Sequence, residues 1–251
     1  MKIKEIKNVF DKYACQYNFD EILIKLKYEH SYRVMNICKE IAEDLNLGKE
    51  DVELAMVIGL LHDYARFEQW KQFKTFNDAA SIDHGDLAVE KLFKDNEIDK
   101  FNIPISYYQT IYNAIKYHNK YEYPKEISER DMLFCKLIKD ADKLDIFYLI
   151  SVGEIKIIDD ASSITQNISD EFYEEKLLRK EYRKTNSDRI IFSLAMMYDL
   201  NFKYSYEYLK DNKLVEKIFD LIMSKKKFEP YFSYIDNFID ERSKEYVRKK
   251  I

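Results

Sequence analysis

The chain has 251 residues, 46% apolar and 35% charged, and a formal net charge of −5. That length can bury a sizeable core, and the acidic balance argues against a general nucleic-acid binder, which presents a basic excess on at least one face. Only four Gly and three Pro occur, so the turn punctuation of a β-rich protein is missing and long helices joined by short polar loops are expected.

Two local basic clusters, Lys225-Lys226-Lys227 and Arg248-Lys249-Lys250, read as solvated late helix surface. The three cysteines, Cys15, Cys38 and Cys135, are widely spaced without a CxxC. That pattern argues against a disulfide framework or zinc knuckle and fits a reducing cytosol. No apolar signal segment follows Met1. The longest apolar run, Leu54 to Leu61, falls far short of the roughly 20 residues of a membrane span. A soluble, cytoplasmic protein is expected.

In chain order, Ile6, Val9, Phe10 and Tyr13 predict a first helix over residues 3–17. Asp20 is the expected N-cap of a longer helix with His30, Val34, Ile37 and Ile41 on one stripe, closed by Asn46-Leu47-Gly48 with Gly48 in the left-handed turn. A helix over 50–64 is apolar nearly all round and should be central. Residues 65–83 read as turns and loop. Asp83 caps a helix from His84 to about Lys94, Pro104 opens one reaching His118, and another covers about 128–151. Residues 153–187 read as a polar arm, Asp188 begins a further helix, and two or three more complete the chain. No repeat or linker is visible, so a single all-helical domain is expected.

All four histidines, His30, His62, His84 and His118, fall within or at the end of a predicted helix. His62-Asp63 ends the most apolar one, where an ionised carboxylate needs a cation or good hydrogen bonds to offset its burial. In Lys139-Asp140-Ala141-Asp142-Lys143-Leu144-Asp145, helical spacing puts Asp142 and Asp145 on the stripe of Ile138, Ile146 and Leu149. Asp140 lies about 200° from Asp142, toward solvent. Asp142 is the expected inward ligand and Asp145 its supporting partner.

The order His30, His62-Asp63, Asp142 resembles the His … His-Asp … Asp pattern of the HD superfamily of metal-dependent phosphohydrolases. The settings Glu29-His30-Ser31-Tyr32-Arg33-Val34 and Gly59-Leu60-Leu61-His62-Asp63 also resemble that family's. The resemblance covers roughly residues 20–150 and implies an all-α helical bundle, with 151–251 as a helical elaboration. HD members with two-metal sites place extra histidines between the His-Asp pair and the last Asp. By that analogy His30, His62, Asp63 and Asp142 hold one ion, and Asp63 bridges to a second held by His84 and His118. So imidazole-rich a set suits Mn, Fe, Co, Ni or Zn better than Mg.

The chemistry this implies is hydrolysis of a small phosphomonoester or phosphodiester, a nucleotide first among them, by metal-activated hydroxide. Asp63 and Asp145 belong to the expected catalytic set, and Arg66 and Lys143 hold non-reacting oxygens. Departures limit the substrate: Asn119 stands where the cyclic-dinucleotide enzymes carry a second His, Leu26 replaces a Glu, and Tyr64-Ala65-Arg66-Phe67 matches no characterised signature. Two other classes stay open, an HD-type di-iron oxygenase and a catalytically silent nucleotide-binding regulatory module.

Plainer readings stand beside these. His84 and His118 could be hydrogen-bonded core residues, Arg33 could pair with a structural carboxylate, and Lys143 with Asp140 or a nearby Glu. Lys120 is a weaker phosphate candidate. Phe67, Trp70, Phe73 and Phe76 either stack a nucleobase or pack. Tyr204, Tyr206 and Tyr208 pack or line a homodimer surface.

Overall fold

The computed structural model describes residues 1–248, with side chains through Lys244, so of the Arg248-Lys249-Lys250 cluster only the backbone of Arg248 is among the described residues. Among the described residues every regular element is a helix or helical turn. The chain divides into two compact units, Met1–Asp142 and Lys143–Ile251. No helix of the described residues is long and apolar enough to cross a membrane, and all three cysteines are free.

The first unit is built from α1 (Ile3–Ala14), α2 (Ile22–Asp44), α3 (Lys49–Leu61), α4 (Arg66–Phe73), α5 (His84–Val89), α6 (Tyr108–Tyr117) and the first part of α7 (Glu129–Ser151). Its centre is the packing of α2 on α3, where Val34, Cys38, Ile41, Leu54, Ile58 and Leu61 are completely buried. Gly59 permits the close approach: a Cβ there would lie 2.8 Å from both Met35 Cα and Cys38 Sγ. The same approach draws the end of α3, with His62 and Asp63, toward His30 on α2.

Three local expectations need correction. Asp20 does not cap α2; the preceding position is Glu21, whose carboxylate instead accepts hydrogen bonds from Trp70 and Lys74. The left-handed residue after α2 is Asn46 (φ 55°), not Gly48, which is extended (φ −63°) and opens α3. Asn tolerates this conformation through its short polar side chain, here bonded to Asp44 O at 3.1 Å. Residues 65–83 are not all loop, because α4 lies within them. Eight residues are too few for periodicity to register, and the helix is held by Phe67, which packs edge-on against Phe10 and Tyr13 of α1.

The second unit carries the rest of α7 and α8 (Gln166–Phe172), α9 (Asn186–Ala195), α10 (Lys203–Asp211), α11 (Leu214–Asp220) and α12 (Lys225–Arg248). Asp188 does not begin α9. Thr185 is the N-cap and Asp188 the third helical residue of a capping box. Asp188 also accepts bonds from Thr165 N and Lys184 N, which accounts for a fully buried carboxylate. Of the three tyrosines of α10, Tyr206 is core and donates to Leu200 O at 2.8 Å.

Candidate metal centre

Five segments converge at one place in the first unit. His30 comes from the middle of α2, and His62 and Asp63 from the turn that ends α3. His84 opens α5, His118 closes α6, and Asp142 comes from α7. No histidine is more than 4% exposed, and Asp63 is 2% exposed. The ligand atoms of three subsets, His30/His62/Asp63, His62/His118/Asp142 and Asp63/His84/His118, lie within 4.8 Å of one another.

The geometry separates around Asp63. Its Oδ2 faces Nε2 of His30 at 3.5 Å and Nε2 of His62 at 3.6 Å. Asp142 Oδ1 lies 3.1 and 3.7 Å from the same two nitrogens. Asp63 Oδ1 faces Nε2 of His84 at 3.6 Å and Nε2 of His118 at 4.0 Å. An ion about 2.0–2.2 Å from nitrogen and oxygen ligands sets neighbouring ligand atoms roughly 3 to 3.6 Å apart; the first group, at 3.1 to 3.7 Å, is near that spacing, and the second is wider on its His118 side, at 4.0 Å.

Protonation tests the fit further. Nδ1 of His62 lies 2.7 Å from Gly59 O and Nδ1 of His118 lies 2.6 Å from Ile115 O. A carbonyl only accepts, so Nδ1 of each ring carries a proton and Nε2 is the atom turned inward. His84 Nδ1 is fixed similarly, donating to Asp78 Oδ2 at 2.6 Å. Burial and the imidazoles of His84 and His62 push His118 down to about 3. Burial and Arg66 lower His84 against the opposing pull of Asp78. Both rings are therefore neutral near pH 7, yet their Nε2 atoms face each other at 2.9 Å. Two lone pairs at that distance repel, and a cation between them resolves the conflict. The donor set fits a divalent transition metal.

Burial pushes the Asp63 carboxyl up, but Lys27, His62, Arg66 and the His30 hydrogen bond together hold it well below the usual carboxylate range. Asp142 is likewise held low: the hydrogen bonds and charges of His30 and His62 outweigh burial. Both groups are ionised over the physiological range, as ligands must be.

Residues 28–146 match the family model of the HD domain, a span that contains all six of these side chains. This chain carries an HD domain. Comparison with curated proteins and with solved structures gives no match. The family is largely one of metal-dependent hydrolases, and its helical bundle agrees with the all-α fold expected from the sequence.

Several residues of the HD domain hold places the sequence did not reveal. Lys27 Nζ donates to Asp63 Oδ2 at 2.6 Å, and its side chain is 17% exposed. Asp78 orients His84 and also accepts from Arg66 Nη1 (3.0 Å) and Gln69 Nε2 (2.9 Å). Arg66 Nε reaches Asp63 Oδ1 at 3.3 Å, and Nη1 also donates to Gln69 and to Phe76 O. Arg66 thus ties Asp63 to the orienting carboxylate of His84. A lysine three residues before His30 and an aspartate opening a single 3-10 turn carry no motif. The only usable signal was helical spacing, which sets Lys27 and His30 on one face of α2.

Other expectations change. Asp140 is completely buried, not turned to solvent. Lys139, Asp140, Ala141, Lys143, Leu144 and Asp145 are all buried, so helix phase alone does not sort inside from outside on α7. Lys143 donates to Asp199 O at 3.0 Å and to the Asp199 carboxylate. Its buried ammonium is thus committed to a residue of its own unit, which argues against its holding phosphate oxygens and against the pairing with Asp140. Asp145 is buried and belongs to the second unit. Lys120 pairs with Asp83 and Asp86, and Asp83 caps α5 by accepting from Asp86 N. Asn119 donates to Asp83 at 3.0 Å. Arg33 lies 3.9 Å from Glu29. Of the four aromatics, Phe67 is core. Phe76 lies beside the centre, its ring 5.7 Å from Lys27 Nζ and 5.6 Å from Arg66 Cζ.

Proposed function

We propose that this protein is a metal-dependent phosphohydrolase acting on a phosphomonoester or phosphodiester, with nucleotides as the first substrate class. The observation that carries this reading is the division of Asp63 between two imidazole pairs. His30, His62, Asp142 and Asp63 Oδ2 would hold one divalent transition-metal ion, and His84, His118 and Asp63 Oδ1 a second. When bound, such a pair supplies a nucleophilic water near neutral pH and neutralises charge on a phosphoryl group.

The chain's own residues supply the rest. Gly59 O, Ile115 O and Asp78 hold three imidazoles in one tautomer and orientation. Arg66 is a positioning residue, since its guanidinium is engaged by Asp63, Gln69, Phe76 O and Asp78. Lys27 takes the role first assigned to Lys143. Of the two cations beside Asp63 it is the more exposed, 17% against 12% for Arg66, and it has fewer protein partners; an ammonium there suits a non-reacting phosphate oxygen. The face of Phe76 supports a nucleobase as the remainder of the substrate.

The test is a panel of phosphomonoesters and phosphodiesters, nucleotides included, against protein reconstituted separately with Mn, Fe, Co, Ni and Zn. Metal-dependent release of phosphate or of a monoester is expected. Inactivity of every loaded form across the panel would overturn the proposal.

A further inference from the structure

The second unit contains a cavity of about 130 Å³ that opens to solvent. An apolar cavity of about 150 Å³ holds a group the size of benzene, so this one takes part of an alkyl chain and its open mouth the rest. Its wall is aliphatic and aromatic: Phe147 and Ile150 from α7, Ile190 and Leu194 from α9, Met197, and Ile218 from α11. At the rim Ile155 is 36% exposed and Ile158 is 58% exposed, an apolar mouth turned to water that an apolar occupant would cover.

The polar groups of the cavity are of two kinds. Asn186 and Ser193 are spent within the protein: Asn186 Nδ2 donates to Asp160 Oδ2 at 2.6 Å, and Ser193 Oγ donates to Arg189 O at 2.9 Å. Lys156 and Arg189 also line the cavity. Both are exposed, and neither makes an ion pair with a carboxylate among the described residues. A nucleobase or sugar would need several neutral donors and acceptors, and the wall offers few beyond the two donors already used. A hydrocarbon chain ending in an anion would use the wall and the two cations together.

We infer that this cavity is a binding site for a free alkyl carboxylate of the fatty-acid class, its chain against Phe147, Ile190 and Leu194 and its carboxylate between Lys156 and Arg189. All of its lining residues belong to the second unit, so the inference does not rest on the phosphohydrolase reading.

Laurate binding to the full chain, by calorimetry below the micellar concentration, tests it, with dodecyltrimethylammonium as the same chain bearing the opposite charge. Saturable binding of one laurate per chain is expected, with no matching affinity for the cationic amphiphile. Lys156→Gln combined with Arg189→Gln changes exposed side chains only and should weaken laurate binding by at least about 10-fold, the loss of one charge-assisted contact or more. Ser193→Phe, at a partly exposed helical position, should fill the cavity and abolish binding. Absence of saturable laurate binding, equal affinity for both amphiphiles, or unchanged affinity in the folded double variant would overturn the inference. A wild-type dimer in solution that binds no laurate would do the same and would assign the apolar mouth to contact between copies.

Discussion

Asp78 accepts a hydrogen bond of 2.6 Å from Nδ1 of His84, and this pairing turns Nε2 of His84 toward Nε2 of His118 and Oδ1 of Asp63. Carboxylates that orient a ligating imidazole raise its basicity and fix its tautomer, and their loss costs roughly 10- to 100-fold in metal affinity. Asp78→Ala is therefore expected to weaken binding of a second metal equivalent by about that factor and to leave the first little changed. Metal titration by calorimetry on both proteins checks it, and an unchanged second affinity would remove Asp78 from the centre.

Asp142 and Asp140 make a second comparison. Helical spacing alone assigns Asp140 to solvent and makes its substitution harmless, but its burial changes that expectation. Asp142→Asn should lower metal content while the protein stays folded. Asp140→Ala should retain metal but lose about 1–3 kcal/mol of stability through an unsatisfied buried partner. Elemental analysis and denaturant melts of the two variants separate these effects. Metal loss in Asp140→Ala alone would reverse the assignment.

Much of the centre was legible because histidine is rare in this chain, and each of its four copies sits at a helix position the apolar pattern marks as inward. His62-Asp63 after Ile58-Gly59-Leu60-Leu61 also carries a physical cost that only a compensating partner explains. Lys27, Asp78 and Gln69 were not legible. Their residue types are common on surfaces, and what gives them meaning is the approach of α2, the loop after α4 and α5 in space. Asp140 was misread because phase arguments need one wet face, and this stretch of α7 has few exposed positions. The end of α2 was misread because Asn46 and Gly48 both suit a left-handed turn, and spacing alone did not decide between them.

The pH dependence of the metal-free protein follows from His118. Its folded pKa, about 3, lies below the ordinary value of 6.5, so the unfolded chain binds more protons between these limits. Stability is then fully present above about pH 6.5 and falls as pH drops toward 3. His84, lowered in the same direction, adds to the slope. Denaturant midpoints in chelator should decrease from pH 7 to pH 5 in the wild type, and less steeply in His118→Phe. Equal slopes in the two proteins would show that His118 is not held neutral by the fold.

If Asp63 joins two ions into one hydrolytic centre, activity titrated against metal equivalents will report it. Metal-free protein should be inert toward a phosphate ester that the loaded protein cleaves. Turnover should rise to its maximum only as the second equivalent binds. His84→Ala should retain one ion and lose at least about 100-fold in rate, consistent with loss of the second ion's share of charge stabilisation. Full activity at one equivalent, with wild-type turnover in His84→Ala, would contradict the account and return His84 and His118 to the role of hydrogen-bonded core residues.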